Sequence, residues 1–251
     1  MKKRQFDESQ IVKKITEGSE STIYSYRNPD NTYVIVKLFK DEFVTPTKTE
    51  KIPYEVFQNK ERKLILLNQS DVIDDDTKPI DLFYIGDKFA GYSMYIDINK
   101  DFDYSWSKKE KEEALRELKN TIERLNKNGI YIGDFNIENF RKRDNGSIRL
   151  MDIDNFSIGG LPFDRENTLV TDYKKHCSNI KNVDNYGFNY FTLSFYINQT
   201  PNTIKRYIKE NGLPKKFNTN ENKQLIEDLE NINDDYIPRF IIDSKKKGLF
   251  I

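Results

Sequence analysis

The sequence predicts an α+β chain of two lobes: residues 1–98 as an antiparallel β-sheet with one helix, and residues 99–251 as a mainly helical lobe. Three observations predict it. Apolar residues alternate with polar ones through the first forty positions, and the run Tyr33–Phe39 is rich in β-branched and aromatic side chains. A segment with helical spacing interrupts the strands once, and after residue 107 the apolar residues recur mostly at helical intervals.

In chain order, Ile11, Val12, Ile15, Ile23, Tyr24 and Tyr26 mark strands, and Arg27-Asn28-Pro29-Asp30-Asn31 is a turn ahead of the Tyr33–Phe39 strand. Residues 41–53 carry Pro46 and Pro53 and read as a loop. Val56, Phe57, Leu64 and Leu67 define a helix over Glu55–Leu67, and Asp71–Lys78 is an acidic turn. Ile80–Ile85 and Phe89–Ile98 form a hairpin about Gly86-Asp87-Lys88. The lobe boundary falls near residues 98–107. Beyond it, Leu115, Leu118, Ile122 and Leu125 share one stripe of a helix over Lys108–Asn128. Ser107 and Glu110 form a capping box at its start, and Gly129 stops it. Further helices are expected at Asp184–Asn198, Thr203–Asn211 and Glu221–Asn231.

Composition narrows the chemistry. With 41 basic and 41 acidic side chains the formal net charge is zero, so neither nucleic acid nor an anionic membrane is an expected partner. The basic stretches Lys205-Arg206 and Lys245-Lys246-Lys247 read as solvated faces. One cysteine, Cys177, and one histidine, His176, exclude an internal disulfide and a zinc site of the usual four-ligand kind, and leave one imidazole for triad catalysis. Proton chemistry here falls to carboxylates. The segment MKKRQFDESQ has no apolar core and no stretch of about 18 apolar residues occurs, so a soluble, cytoplasmic protein is expected.

The stretch Tyr131–Gly160 carries most of the chemical signal. Asp134 and Asn139 are separated by Phe135-Asn136-Ile137-Glu138, and β-prone pieces flank Asn145-Gly146, a hairpin turn signal. The returning strand is expected to bring Asp152 back toward Asn139 and Asp134, giving three oxygen-bearing side chains suited to magnesium and phosphate. Asx residues also serve as turn and cap residues, and any one of the three alone fits that role.

The order and spacing of these residues resemble the protein-kinase superfamily, whose catalytic loop reads D-x-x-x-x-N and is followed by a metal-binding Asp. The resemblance spans roughly residues 11–198 and is that of a small, atypical serine/threonine kinase with a bilobal protein-kinase-like fold. It implies an ATP- and Mg2+-dependent transfer of phosphate to a hydroxyl, with Asp134 as base, Asn139 and Asp152 as magnesium ligands, and Asp154 as a second ligand or substitute. Lys37, in Val34-Ile35-Val36-Lys37, resembles the strand lysine that holds the α- and β-phosphates. Its implied helix partner is Glu61, with Glu55 next in line. Gly18 and Ile23 lie in the stretch that resembles the phosphate-covering loop, which keeps only one of three glycines. Met94 resembles a gatekeeper, with the backbone of Tyr95, Ile96 and Asp97 holding adenine, and the run Gly91–Asp97 fits a plain core strand equally well. Asp184, in Val183-Asp184-Asn185-Tyr186-Gly187-Phe188, resembles the helix aspartate that braces the catalytic loop, and it also fits a simple N-cap.

The chain departs from that pattern in four further places. Ile132-Gly133-Asp134 replaces H-R-D, so activation by loop phosphorylation is not expected. Asn136 stands where serine/threonine kinases carry lysine, removing a cation from the transferred phosphoryl group. Asp152-Ile153-Asp154 replaces D-F-G, and no A-P-E follows before Asp184. The phosphoacceptor is therefore a protein or a small molecule of the aminoglycoside or choline type, and a pseudokinase binding module is the reading from outside enzymology.

Overall fold

The computed structural model describes residues 1–18, 20–40, 54–97, 99–163 and 183–198, together with Glu210. The expected loop at 41–53, most of the helix at 203–211 and all of that at 221–231, His176, Cys177 and the basic stretches at 205–206 and 245–247 lie outside the described residues, as does the side chain of Glu55. The chain is α+β and divides into two compact units. One comprises Met1–Asn99, Asn128–Ile130 and Arg149–Arg165; the other comprises Lys100–Lys127, Tyr131–Ile148 and Glu166–Ile251. Asp152 and Asp154 thus belong to the unit that carries Lys37, and Asp134 and Asn139 to the other.

The first unit is built on a six-stranded mixed sheet. Its strands are β1 (Lys2–Gln5), β2 (Ile11–Glu17), β3 (Ser21–Arg27), β4 (Tyr33–Phe39), β5 (Asp81–Ile85) and β6 (Lys88–Met94), in the spatial order β1-β5-β6-β4-β3-β2. Helix α1 (Tyr54–Gln69) lies between β4 and β5 in sequence. The antiparallel sheet expected from the sequence is thereby corrected: β1 pairs parallel with β5, Lys2 opposite Asp81 and Gln5 opposite Tyr84. Little side-chain burial holds β1. Backbone pairing does, aided by the Arg4–Asp81 ion pair at 2.6 Å. The core of the sheet is Tyr26, Val34, Val36 and Phe83, with Phe6, Ile11 and Ile80 against it. Phe6 stacks on Tyr26 at 5.7 Å and Phe83 meets Tyr26 edge-on at 5.2 Å, both favoured aromatic arrangements.

Strands β4 and β6 approach unusually closely. A Cβ on Gly91 would lie 2.2 Å from the backbone oxygen of Lys37, so only glycine lets the strand bearing Lys37 pair there.

The second unit contains β7 (Lys100–Asp101), α2 (Lys108–Lys127), β9 (Phe140–Lys142) and α3 (Val183–Ile197); the two-residue strand β8 (Ile130–Tyr131) precedes the loop of Asp134, and β10 (Ile148–Leu150) and β11 (Ser157–Ile158) follow. The capping box is formed: Ser107 N donates to Glu110 Oε2 at 2.9 Å and Glu110 N to Ser107 Oγ at 3.3 Å. Gly129, at φ 70°, ends α2 in the left-handed region. Leu115, Leu118, Ile122 and Leu125 are all buried. Phe102, Phe140, Phe191 and Phe195 form an aromatic core, with Phe191 stacked on Phe195 at 5.5 Å and edge-on to Phe140 at 5.1 Å. The Asn145-Gly146 hairpin is a three-residue loop: Arg143 N donates to Ser147 O at 2.9 Å, and Gly146 takes φ 85°. No helix among the described residues is long and apolar enough to cross a membrane.

Candidate active site

Lys37 stands in the middle of its sheet, opposite Ile23 on β3 and Tyr92 on β6. Directly opposed residues in an antiparallel ladder share a face. Ile23, Lys37 and Tyr92 therefore form one row, and Ile23 is the described apolar neighbour nearest the lysine in register. The Lys37 side chain is 8% exposed, and its ammonium donates to Asp152 Oδ1 and to Asp154 Oδ1, the latter at 2.8 Å.

The two aspartates come from the turn Asp152–Asn155, and they differ. Asp154 is fully buried; its Oδ1 accepts from Lys37 and from Tyr92 OH at 2.9 Å, and its Oδ2 accepts from Lys60 at 2.6 Å. Asp152 leaves one third of its side chain exposed, accepts from Lys37, and takes 2.8 Å from Asn155 Nδ2. Its backbone, at φ 53° and ψ 41°, is left-handed. An aspartate held there costs about 1 kcal/mol, and such strain concentrates at functional sites.

Electrostatics separate the two carboxylates further. Burial favours a neutral Asp154, but the ammoniums of Lys37 and Lys60 overrule it and hold the carboxyl well below its usual range. Burial and the neighbouring Asp154 charge push Asp152 up, against the pull of Lys37. Burial alone would lower Lys37, and the charges of Asp154 and Asp152 raise it instead. The lysine is therefore charged at neutral pH.

Glu61 does not meet Lys37, contrary to the expectation from sequence. Its Oε1 accepts from Lys3 of β1 at 2.9 Å and from Tyr84 OH at 2.5 Å. Its neighbour Lys60 faces inward, only 2% exposed, donates also to Asn155 Oδ1 at 3.3 Å and sits 5.0 Å from the Phe39 ring centroid. The sequence does contain the signal. Lys60, Lys63, Leu64 and Leu67 fall at i, i+3, i+4 and i+7 and are all buried, whereas Glu61 lies off that stripe.

The remaining expected residues of this unit are placed as follows. Gly18 closes the β2–β3 turn by donating its N–H to Ser21 O at 2.9 Å. Met94 ends β6 half-buried, and Tyr95 and Ile96 beyond it are 51% and 44% exposed. Sequence reasoning missed Arg149, buried on β10, which donates to Tyr95 O at 3.0 Å, Ile96 O at 3.4 Å and Asp97 Oδ1 at 3.3 Å. It fixes the segment expected to hold adenine. An arginine between Ile148 and Leu150 in an apolar strand was the available sign.

In the second unit, the Asn139 amide donates to Asp134 Oδ2 at 3.1 Å and to Asp134 O at 3.3 Å, so the D-x-x-x-x-N spacing brings these two side chains together. The turn Ile137–Asn139 is a single 3-10 turn. Behind it, the fully buried Asp184 of α3 accepts from Ile132 N at 2.8 Å and Gly133 N at 2.9 Å. Asp184 thus braces the loop leading into Asp134, while lying in the first turn of its own helix. Gly187 brings α3 against Phe135, where a Cβ would lie 2.3 Å from the ring.

Among the described residues no group of three or more His, Cys, Asp or Glu side chains is arranged to hold a metal by itself. Magnesium does not require one, since it retains waters and takes substrate phosphates with one or two carboxylates. The part-exposed Asp152 fits that demand; Asp154, with three donors already on its two oxygens, does not. No protein-family model matches the chain, and no curated protein matches it significantly.

Proposed function

We propose that the chain is an ATP- and magnesium-dependent phosphotransferase of protein-kinase-like fold. The observation that carries this reading is the ammonium of Lys37, buried on a central strand and held by carboxylates from the Asp152–Asn155 turn. A fixed cation beside a part-exposed carboxylate suits a metal-bound triphosphate. The braced Asp134–Asn139 loop supplies support from the second unit.

In this reading Lys37 neutralises the α- and β-phosphates, Asp152 and Asn139 are the magnesium ligands, and Ile23, Gly18 and the Met94–Ile96 segment take the rest of the nucleotide. Magnesium, when bound, disperses triphosphate charge and favours departure of ADP. Asp134 accepts the proton of the acceptor hydroxyl as its oxygen bonds to the γ-phosphorus and the bond to the β-phosphate oxygen breaks. The leading acceptor is a protein Ser or Thr hydroxyl. The absence of A-P-E makes a small-molecule hydroxyl the second reading.

Radiolabelled ATP with magnesium tests the reading. Label should enter the protein itself, a generic protein substrate or a member of a small-molecule panel, and Asp152→Ala should abolish it. Asp134→Asn should lower the rate by about 10²- to 10⁴-fold with nucleotide binding intact. Transfer that survives Asp152→Ala removes the assignment, and partner binding with no transfer by the wild type favours the pseudokinase.

A further inference from the structure

We infer that Asp154 and Lys60 are the positioning pair for the phosphate-binding ammonium of Lys37. The lysine that meets a metal–nucleoside triphosphate is then anchored from the Asp152–Asn155 turn rather than by Glu61 of helix α1. This rests on the nucleotide-binding reading above and goes beyond it. It withdraws Glu61 from the nucleotide site and Asp154 from the metal.

Three observations carry it. Lys37 has two carboxylate partners of unequal freedom: Asp152 is one-third exposed, whereas Asp154 is completely buried. Asp152 can turn to a cation at the surface. Asp154 cannot do so without breaking its buried bonds to Lys60 and Tyr92, whose polar tips lie 2.6 and 2.9 Å from its oxygens. Breaking a buried ion pair costs several kcal/mol, so Asp154 stays with the lysines.

Charge is the second argument. The cluster holds two ammoniums, Lys37 and Lys60, and two carboxylates, Asp152 and Asp154. Once Asp152 is committed to a metal ion, Asp154 is the carboxylate left to hold Lys37, and the second ammonium, Lys60, offsets its charge so that it does not draw Lys37 away from the phosphates. The third argument is exclusion. Glu61 is engaged by Lys3 and Tyr84, and one residue of helix turns it about 100° from Lys60.

The test is a double-mutant cycle on ligand affinity, read by calorimetry with Mg·ATP and, separately, with adenosine. Lys60→Met and Asp154→Asn should each weaken Mg·ATP by about 10- to 100-fold, the range for residues that orient a ligating group, and leave adenosine unchanged. In a Lys37→Met background both effects should vanish, because there is no ammonium left to position. Lys60→Gln keeps a donor for the carboxylate while removing the charge, and it stands in where Lys60→Met fails to fold. Glu61→Gln should bind Mg·ATP as the wild type does. Wild-type affinity in the Lys60 and Asp154 variants, equal loss of adenosine, persistence of the loss without Lys37, or loss in Glu61→Gln each overturns the inference alone. A wild type that binds no Mg·ATP overturns the nucleotide reading and the inference together.

Discussion

Replacing Asp184 with Asn probes whether burial or hydrogen bonding governs the carboxylate behind the Asp134 loop. Asp184 is fully buried and accepts two backbone N–H groups, from Ile132 and Gly133. Burial pushes its carboxyl from 3.8 up to about 7, against the downward pull of those two donors. Between these values the folded chain holds a proton that the unfolded chain has released, so stability must fall as the pH rises. The contribution is full below about pH 4 and is lost as the pH passes through about 7. At about 1.4 kcal/mol per pH unit the change is on the order of 4 kcal/mol. Asparagine does not titrate, and its amide group leaves one of the two N–H donors without an acceptor at every pH, a cost of about 1–3 kcal/mol. The wild type should therefore be the more stable protein at about pH 4.5, and its advantage should shrink or reverse by about pH 8. Urea unfolding followed by circular dichroism at half-unit pH steps reads the difference directly. A difference that stays constant across the range, or that grows in favour of the wild type with rising pH, refutes the balance assigned to this carboxylate.

Other substitutions test the packing that positions each site. Gly91→Ala places a methyl group 2.2 Å from the Lys37 backbone oxygen, and because backbone cannot swing aside the sheet should lose about 1–3 kcal/mol in urea titration; an unchanged midpoint would sink the close-approach argument. Gly187→Ala drives a Cβ to 2.3 Å from the Phe135 ring, and the melting temperature should fall even though alanine gains about 1 kcal/mol of helix propensity. A rise in melting temperature would show that the ring yields freely. Lys3→Ala removes a pair whose lysine is 64% exposed, so unfolding free energy should change by less than about 1 kcal/mol, and Mg·ATP affinity should not move; a large drop in that affinity would tie Glu61 to the nucleotide after all.

The elements that were legible in the sequence are those whose signals are local. Ser107 and Glu110 announced the start of α2 because a capping box is written in two residues, and Gly129 announced its end because left-handed backbone favours glycine. The D-x-x-x-x-N spacing announced the Asp134–Asn139 pair, whereas Asp184 was legible as either a loop brace or an N-cap, and its bonds to Ile132 and Gly133 make it the brace. Strand β1 was not legible. Lys2-Lys3-Arg4-Gln5 has no hydrophobic alternation to detect, and its place is set by main-chain pairing with β5 and by Arg4 finding Asp81.

The helix partner of Lys37 was misread for a different reason, and the physics is instructive. The kinase resemblance implies Glu61 as the partner of Lys37, but helix phase is decided by what the helix buries. Leu64 and Leu67 are both fully buried, and stepping back from them by one turn lands on Lys60 and Lys63, not on Glu61. Hydropathy counts lysine as outward-facing, so the stripe looks broken where it continues. An ammonium buried on that stripe demands a carboxylate within reach. Helix α1 offers none on that face among its described side chains, and the Asp152-Ile153-Asp154 turn does. The second aspartate of that turn supplies a charge that makes a buried lysine on α1 tolerable. Asp154 and Lys60 are coupled by their ion pair, and neither is intelligible when its position is read separately.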